Sequence, residues 1–225
     1  MTAAAPVAPD AAAAVFGPEL PRAVAYAELL ATDGLVRGLI GPREVPRLWD
    51  RHLLNCAVVA DLLPPSARVV DVGSGAGLPG VVLALVRPDI AVTLLEPLAR
   101  RVTFLAECRE RLDLANVTVL RGRAEEPAGR AQLGGADVVV ARAVAPLDRL
   151  VGWCVPLLTP GGRLLALRGE SAEEDAAGAR AACARFGATE VRVVRCGAGV
   201  VSPPTTVVTA TRGTVPAKAR GGRGR

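Results

Sequence analysis

The sequence has little of the side chains from which metal and redox sites are built. Its 225 residues include one histidine, and the five cysteines are scattered without a Cys-x-x-Cys pair. Closely spaced cysteines and histidines are what a zinc or disulfide framework needs. We therefore expect reduced thiols, as in a cytoplasmic protein, and no bound metal.

Long apolar runs and aromatic residues are also scarce. No apolar run reaches the ~18 residues that would span a bilayer, and aromatic residues make up 3% of the chain. A membrane span and a large stacking platform for nucleic-acid bases are both excluded. The first residues, 1–14, are rich in alanine and proline without a basic segment, so we expect a flexible arm there and not a secretory signal.

The formal net charge of +5 comes from one end of the chain. Five of the 27 basic residues lie between Arg212 and Arg225, where there is no acid, so the other 22 basic residues balance the 22 acidic ones. Residues 213–225 have too little apolar content to fold, and we expect a disordered basic tail. Such a tail could contact RNA phosphates or could serve solubility alone.

The most informative stretch runs from Val69 to Gly80, where an apolar strand ends at an acid and alternating glycines follow. Glycine allows a sharp turn and a close approach of the backbone to a ligand, and the next helix offers free N–H groups. The segment predicts a nucleotide-cofactor loop.

This loop has three possible interpretations: an S-adenosylmethionine site, an NAD site or a purely structural turn. Residues 75–80 match the dinucleotide pattern G-x-G-x-x-G, but the first glycine after the strand is Gly73, and in that register the third glycine position is Leu78. Asp71 beside the loop would repel a pyrophosphate, whereas S-adenosylmethionine carries a sulfonium and no phosphate. The pattern favours S-adenosylmethionine over NAD.

Acids and bases follow the other predicted strands, at the edge where such sheets bind ligands. Glu96 ends the second strand about 20 residues after the glycines, where a carboxylate holds ribose hydroxyls in either cofactor; alternatively it is a solvated acid that opens a helix. Glu125 could accept from the adenine amine or cap the next helix. Arg142 lies where methyl donor and acceptor would meet, or in a structural salt bridge.

Strands and helices alternate after an all-helical start. Apolar residues recur at helical spacing over residues 11–30 and 44–63, which predicts helices there. The predicted strands are 69–72, 91–95, 117–120, 137–141, 163–167, 190–195 and 205–211, and the helices between them are 80–86, 98–112, 124–133, 146–158 and 172–186. Too few residues separate the last two strands for a crossover helix, so they should pair antiparallel.

The segment after the fourth strand also lacks a known recognition loop. Methyltransferases that act on exocyclic base amines commonly carry (Asn/Asp/Ser)-Pro-Pro-aromatic there, but this chain has Ala141-Arg-Ala-Val-Ala-Pro146. A ring nitrogen such as guanine N7 needs neither amine recognition nor a general base. Its methylation is a direct displacement that depends on positioning and on the local field.

These motifs resemble the glucose-inhibited division protein B family, which methylates N7 of a guanine in bacterial small-subunit ribosomal RNA. The resemblance is carried by the run from Asp71 to Gly80, which ends Gly-Leu-Pro-Gly, and by Arg51-His52-Leu-Leu, Arg123-Ala-Glu-Glu, Ala141-Arg-Ala and Leu167-Arg-Gly. It implies cofactor contacts at Gly73, Leu78, Ala124, Glu125 and Arg142, with Glu96 near the ribose. Together with the loop, the candidate cofactor-binding residues are Asp71, Gly73, Gly75, Gly77, Leu78, Glu96, Ala124, Glu125 and Arg142.

The chain departs from the family at Asn55 and Cys56, where Asp-Ser is usual, and at Arg168, where lysine is common. Arginine keeps the charge but changes the geometry, so we expect RNA contact from Arg168 and no lysine-specific chemistry. His52 is interpreted as an RNA contact or a helix-packing residue and not as a proton acceptor. With Arg123, these two are the candidate RNA contacts, and no catalytic residue is assigned.

The resemblance implies an α/β fold: a Rossmann-like class I methyltransferase with a seven-stranded, mostly parallel sheet, an antiparallel last strand and an N-terminal helical extension. We expect an arm over 1–14, the extension over 15–66, the methyltransferase domain over 67–212 and the tail over 213–225. The expected partner is 16S ribosomal RNA or the 30S particle, met by a cytoplasmic monomer. A methyltransferase for small molecules or proteins, and a nucleotide-binding module without turnover, are the alternatives.

Overall fold

A seven-stranded sheet forms the centre of the molecule. The computed structural model describes residues 4–214, apart from the side chains of residues 128 and 129. The strands are Arg68–Val72 (β1), Ala91–Glu96 (β2), Val117–Arg121 (β3), Ala136–Arg142 (β4), Leu158–Arg168 (β5), Ala188–Cys196 (β6) and Thr205–Arg212 (β7). Their spatial order is β3-β2-β1-β4-β5-β7-β6, and β7 runs antiparallel to both of its neighbours. The predicted strands and the antiparallel pairing of the last two are confirmed.

Helices cover both faces of this sheet. They are Asp10–Phe16 (α1), Leu20–Leu29 (α2), Leu54–Ala57 (α3), Gly80–Val86 (α4), Ala99–Arg111 (α5), Pro127–Leu133 (α6), Leu147–Cys154 (α7), Ala172–Gly178 (α8) and Arg180–Phe186 (α9). Strands covered on both faces are apolar throughout, as in Val138-Val139-Val140, which is fully buried. Successive residues face opposite clusters: Val69 packs with α4, α5 and the N-terminal helices, and Val70 packs with α7, α8 and α9.

The predicted N-terminal arm is wrong from Asp10 onward. Helix α1 begins there, and its Ala12 is fully buried. Alanine has the highest helix propensity, and the acid in the first turn favours the helix N-terminus. The preceding residues are held as well, because Trp49 Nε1 donates a hydrogen bond of 2.9 Å to the Pro6 carbonyl. At the other end, Gly213 N–H donates to the Gly187 carbonyl at 2.8 Å, and residues 215–225 of the predicted tail lie outside the described residues.

Two predicted helices differ in ways that matter for the site. The segment 44–63 is helical but irregular: a 3-10 turn, Val45–Arg47, and a π-helical stretch, Leu48–Leu53, precede α3, and a second 3-10 stretch, Val58–Leu62, follows it. Helix α6 begins at Pro127 and not at Ala124. Proline suits the first position of a helix because its missing N–H would be unpaired there. Residues 122–126 therefore stay in a loop at the end of β3.

Candidate functional site

A cavity of about 550 Å³ opens at the carboxyl ends of β1, β2, β3 and β4. It lies where the strand order reverses, with β2 on one side of β1 and β4 on the other, which is where doubly wound sheets bind ligands. Its volume is within the range of small-molecule and cofactor sites. The predicted residues on its wall are Gly73, Gly75, Leu78, Glu96, Arg123, Ala124, Glu125 and Arg142. Asp71, Gly77, His52 and Arg168 are not on that wall.

The glycine loop after β1 requires glycine for different reasons at different positions. Gly73 has φ +71°, and a Cβ there would lie 2.8 Å from Val144. Gly75 has φ +59°, and a Cβ would meet only the Gly73 carbonyl, at 3.8 Å, so glycine keeps space free on the cavity wall. Gly77 has φ +98°, and its absent Cβ makes room for Val81 and for the hydroxyl of Tyr26. Gly77 therefore serves packing behind the cavity wall, on which it does not lie.

Asp71 lies beneath the loop and not on the cavity surface. It is fully buried, and its Oδ2 accepts a 3.0 Å hydrogen bond from the Gly80 N–H at the start of α4. Its Oδ1 has no hydrogen-bond partner among the described residues. Burial raises the pKa of Asp71 to about 7. Asp71 thus holds the start of α4 against the end of β1 and lies below the cavity wall, so the structure places it behind the other predicted cofactor-binding residues.

Glu96 joins the loop to the segment that follows β2. Its Oε2 accepts from the Gly75 N–H and its Oε1 from the Leu98 N–H, both at 3.0 Å. Arg101 Nη1 lies 3.7 Å from Oε2. A carboxylate offers about four acceptor sites, so two remain for other donors. The alternative of a solvated acid does not hold, because Glu96 is 1% exposed.

The loop 122–126 contributes a neutral and a charged surface to the cavity. Ala124 is buried, and the half-exposed Arg123 lies 3.7 Å from Glu125 and 3.9 Å from Glu126 through its guanidinium nitrogens. The first turn of α6 receives no side-chain cap. Capping by Glu125 is therefore not observed, and its carboxylate is placed at the cavity wall.

Arg142, at the end of β4, is connected to the N-terminal helices. Its Nη2 lies 3.1 Å from His52 Nδ1, and His52 Nε2 lies 2.7 Å from Glu44 Oε2. Burial and the Arg142 charge hold the pKa of His52 below its usual value. Burial alone would raise the pKa of Glu44, but the hydrogen bond from His52 and the charges of Arg47 and Arg51 keep it below its usual value. Within residues 4–214 the side-chain partner of Arg142 is thus a histidine and not a carboxylate.

Two of the three candidate RNA contacts, His52 and Arg168, are mostly buried and have hydrogen-bond partners within the protein. His52 is 8% exposed. The Arg168 side chain is 13% exposed, and its Nη2 donates a 2.9 Å hydrogen bond to the Ala145 carbonyl in the segment after β4. That segment includes Ala143 at φ +54°, an unusual conformation for alanine. Arg168 supports this strained turn, and of the three candidates Arg123 alone is exposed on the cavity wall.

Several wall residues were not found from the sequence. Leu39 and Ile40 come from the N-terminal extension, Trp153 comes from α7, and Arg101 lies in the first turn of α5. Only Arg101 could have been predicted from local sequence, because it follows the strand-end acid Glu96 by five residues and can pair with it. The others are brought to the cavity by packing between segments that are distant in the sequence.

The described residues contain neither a cluster of three or more His, Cys, Asp or Glu that could hold a metal ion nor a helix long and apolar enough to cross a membrane. The cysteines are free and buried. Three arginines (101, 123 and 142) and two glutamates (96 and 125) face the cavity, so its wall offers both donors and carboxylate acceptors.

Comparison with known proteins agrees with this architecture. The family described as rRNA small subunit methyltransferase G, GidB, matches residues 19–202. A Salinispora tropica relative named ribosomal RNA small subunit methyltransferase G is 61% identical over 215 residues, 93% of this chain and 88% of that protein. One of the same name from Thermobifida fusca is 60% identical over 202 residues, 90% and 84% of the two chains.

Solved structures share the fold at low sequence identity. Aeropyrum pernix fibrillarin, in complex with natively bound S-adenosyl-L-methionine, has a TM-score of 0.54 and 19% identity. The match covers 70% of this chain and 76% of that one. At this identity the likeness concerns the fold alone, and it confirms the predicted Rossmann-like methyltransferase architecture.

Proposed function

The chain belongs to the GidB family of rRNA small subunit methyltransferase G proteins, and from this premise we propose that it transfers a methyl group from S-adenosylmethionine to N7 of a guanine in 16S ribosomal RNA. The observation that carries the proposal is the cavity at the strand ends, in which the glycine loop and Glu96 meet Arg142. A glycine backbone, a carboxylate and a cation can pair with the carboxylate, hydroxyl and amino groups of S-adenosylmethionine.

The wall residues fit an adenosine cofactor that carries no phosphate. Glu96 keeps two acceptor sites for ribose hydroxyls, since its two described hydrogen bonds come from backbone N–H groups. Glu125 offers an acceptor to the adenine amine, and buried Ala124 offers an apolar surface beside it. Gly75 leaves the loop open where a Cβ would project.

The chemistry requires positioning and not proton abstraction. S-adenosylmethionine supplies an electrophilic methyl group on a sulfonium. The N7 lone pair forms the new bond, the sulfur keeps the electrons of the old one, and no proton leaves the base. His52, the one histidine of the chain, has both ring nitrogens occupied by Glu44 and Arg142. The role of the residues is to hold the two reactants in line and to shape the local field.

The acceptor enters between the strand ends and the N-terminal extension. Leu39 and Ile40 form one wall of the cavity, Trp153 and Val144 another, and Arg123 is exposed at its edge. An arginine plane can stack on an unpaired base where aromatic residues are few. We place the target guanine at this side of the cavity, with the protein acting as a cytoplasmic monomer on 16S RNA or on the 30S particle.

The direct test is methyl transfer by purified protein from radiolabelled S-adenosylmethionine to 30S particles and 16S RNA from cells that lack the gene. We expect incorporation into that RNA and release of 7-methylguanosine on digestion, identified by mass. RNA from cells that keep the gene should accept little, because its target is already methylated.

Other products would assign other functions. Methylation of an exocyclic amine would contradict the ring-nitrogen proposal, and methylation of proteins or metabolites without RNA would contradict the substrate class. Cofactor binding without turnover on any of these acceptors would indicate a nucleotide-binding module.

A further inference from the structure

Three side chains from two distant parts of the chain form one continuous hydrogen-bonded series. Glu44 precedes the irregular helical segment of the N-terminal extension, and His52 lies within it. Arg142 ends β4 and faces the cavity. The series runs from Glu44 through His52 to Arg142, with distances of 2.7 Å and 3.1 Å. It joins the N-terminal extension to the site.

Hydrogen-bond polarity fixes the state of the imidazole. A guanidinium can only donate, so His52 Nδ1 must present its lone pair to Arg142 Nη2. The proton is then on Nε2, and it is donated to the Glu44 carboxylate. The other tautomer would place two donors against each other at Arg142 and leave Nε2 without a proton for Glu44. Only the Nε2–H tautomer of neutral His52 satisfies both neighbours.

The charges around His52 support the same state. The groups that face it are Glu44 and Arg51 from the N-terminal extension and Arg142 from β4. Arg51 Nε and Arg47 Nη1 each lie 3.9 Å from Glu44, one from each of its oxygens. These arginines keep Glu44 ionised, and Arg142 opposes protonation of the ring. His52 is 8% exposed, so solvent does little to screen either effect.

We propose that His52 is a positioning residue that fixes the Arg142 guanidinium on the cavity wall, and that Glu44 holds His52 in the tautomer this requires. The inference rests on the proposed function, because it concerns how the same site orients its reactants. Protonation of His52 Nδ1 would turn the acceptor into a donor and release Arg142. Methyl transfer should therefore fall on the acidic side of neutrality as His52 takes up a proton.

Two substitutions of His52 separate positioning from packing. The amide of asparagine reaches the place of Nδ1, so His52→Asn keeps an acceptor for Arg142. Glutamine reaches the place of Nε2, so His52→Gln keeps the contact with Glu44 and loses that acceptor. We expect His52→Gln to lower kcat about tenfold or more, the scale of one hydrogen bond to a charged group. His52→Asn should stay within about threefold of the wild type and lose the acidic decline.

A double-mutant cycle tests whether His52 acts through Arg142. In an Arg142→Gln background, His52→Gln should lower kcat no further, because the group that it positions is already gone. Glu107→Gln is the matched control, since it removes a carboxylate from an ion pair with Arg37 that does not include the cavity. Its kcat should equal the wild-type value. Equal losses in His52→Asn and His52→Gln, or additive losses with Arg142→Gln, would overturn the proposal.

The tautomer itself can be observed without any activity. Because the chain has one histidine, the imidazole ¹⁵N NMR signals belong to His52 alone. At pH 7 we expect a protonated Nε2 and an unprotonated Nδ1, and in Arg142→Gln a raised His52 pKa. A protonated Nδ1 at pH 7 would overturn the proposal. If the wild type methylates no RNA, the proposed function fails, and this spectrum still decides whether the series exists.

Discussion

Asp71 and Glu96 are both buried carboxylates at strand ends, but their hydrogen bonds differ. Glu96 accepts one backbone N–H on each oxygen and lies near Arg101. Asp71 accepts one N–H, and its other oxygen has no partner among the described residues. Burial without compensation favours the neutral acid. At the residue scale, one acid is therefore available as a ligand group and the other carries a pH dependence.

Replacing Glu96 by glutamine should weaken cofactor binding. The amide puts a donor where either the Gly75 or the Leu98 N–H also donates, so one backbone group loses its acceptor and the loop shifts. We expect the Kd for S-adenosylmethionine to rise about tenfold or more, measured by calorimetry, since an unpaired buried donor costs about 1–3 kcal/mol. Glu107→Gln is the control. An unchanged Kd in Glu96→Gln would contradict a contact between Glu96 and the cofactor.

Asp71 should make the protein less stable as the pH rises from about 4 to about 7. Its pKa is about 7 when folded, against 3.8 in the free side chain, so its stabilising contribution is fully present below pH 3.8 and is lost as the pH rises through 7. Three pKa units correspond to at most about 4 kcal/mol. We expect Asp71→Asn, which keeps an acceptor for Gly80, to lack this part of the decline.

The measurement for Asp71 is the free energy of unfolding in urea at several pH values for both proteins. Groups with lowered pKa values, such as Glu44, change stability in the opposite direction, but they are common to both proteins and cancel in the difference. Parallel curves for the wild type and Asp71→Asn would contradict the assignment.

At the scale of elements, the N-terminal extension helps to hold the glycine loop in place. The Tyr26 hydroxyl on α2 donates a 2.7 Å hydrogen bond to the Ala76 carbonyl, and Tyr26 is fully buried. The absent side chain of Gly77 makes room for that hydroxyl and for Val81 on α4. The loop is therefore fixed by contacts with β1, α4 and α2.

Alanine at Gly77 should cost more stability than alanine at another glycine with a similar backbone. Gly161, in the part of β5 where the pairing with β4 shifts register, has φ +82° and open space around it, whereas a Cβ at Gly77 would lie 2.6 Å from Val81. We expect Gly161→Ala to cost about 1 kcal/mol from backbone strain. Gly77→Ala should cost a further 1–3 kcal/mol or so from overpacking and should weaken cofactor binding. Equal unfolding free energies in urea would contradict this account of the loop.

What the sequence could predict at this scale follows from how local each feature is. The strands were predicted because runs such as Val138–Val140 are apolar throughout, and the strand-end residues Glu96 and Arg142 follow from the strands. The helix at 124–133 was predicted three residues too long at its start, although Pro127 is a local marker of the first helical position. Leu39, Trp153 and the Glu44 to Arg142 series depend on packing between distant segments, which one sequence does not encode locally.

At the scale of the whole molecule, the N-terminal extension and the sheet share one hydrophobic cluster. Tyr26 and Leu53 belong to the same cluster as Val92 on β2 and Leu105 on α5. Polar contacts cross the same boundary, because the Arg87 guanidinium donates to the carbonyls of Ala60, Leu63 and Pro64. We propose that segments 15–66 and 67–212 fold as a single cooperative unit.

The two tryptophans can test this cooperativity, because Trp49 lies in the N-terminal extension and Trp153 lies on α7. Variants Trp49→Phe and Trp153→Phe each leave one fluorescent reporter. In each variant, the fluorescence and circular dichroism transitions in urea should coincide, as two-state unfolding requires. A Trp49 signal that changes at lower urea than the circular dichroism would show that the extension unfolds by itself.

The central claim is that this chain methylates guanine N7 in 16S RNA with the cavity that contains Arg142. Its most direct measurement is the 7-methylguanosine content of 16S RNA, by mass spectrometry of digested fragments, in cells that lack the gene and carry either the wild type or Arg142→Gln. We predict one fragment in which the wild type restores 7-methylguanosine and Arg142→Gln restores little. A 7-methylguanosine content that does not depend on the gene would contradict the account.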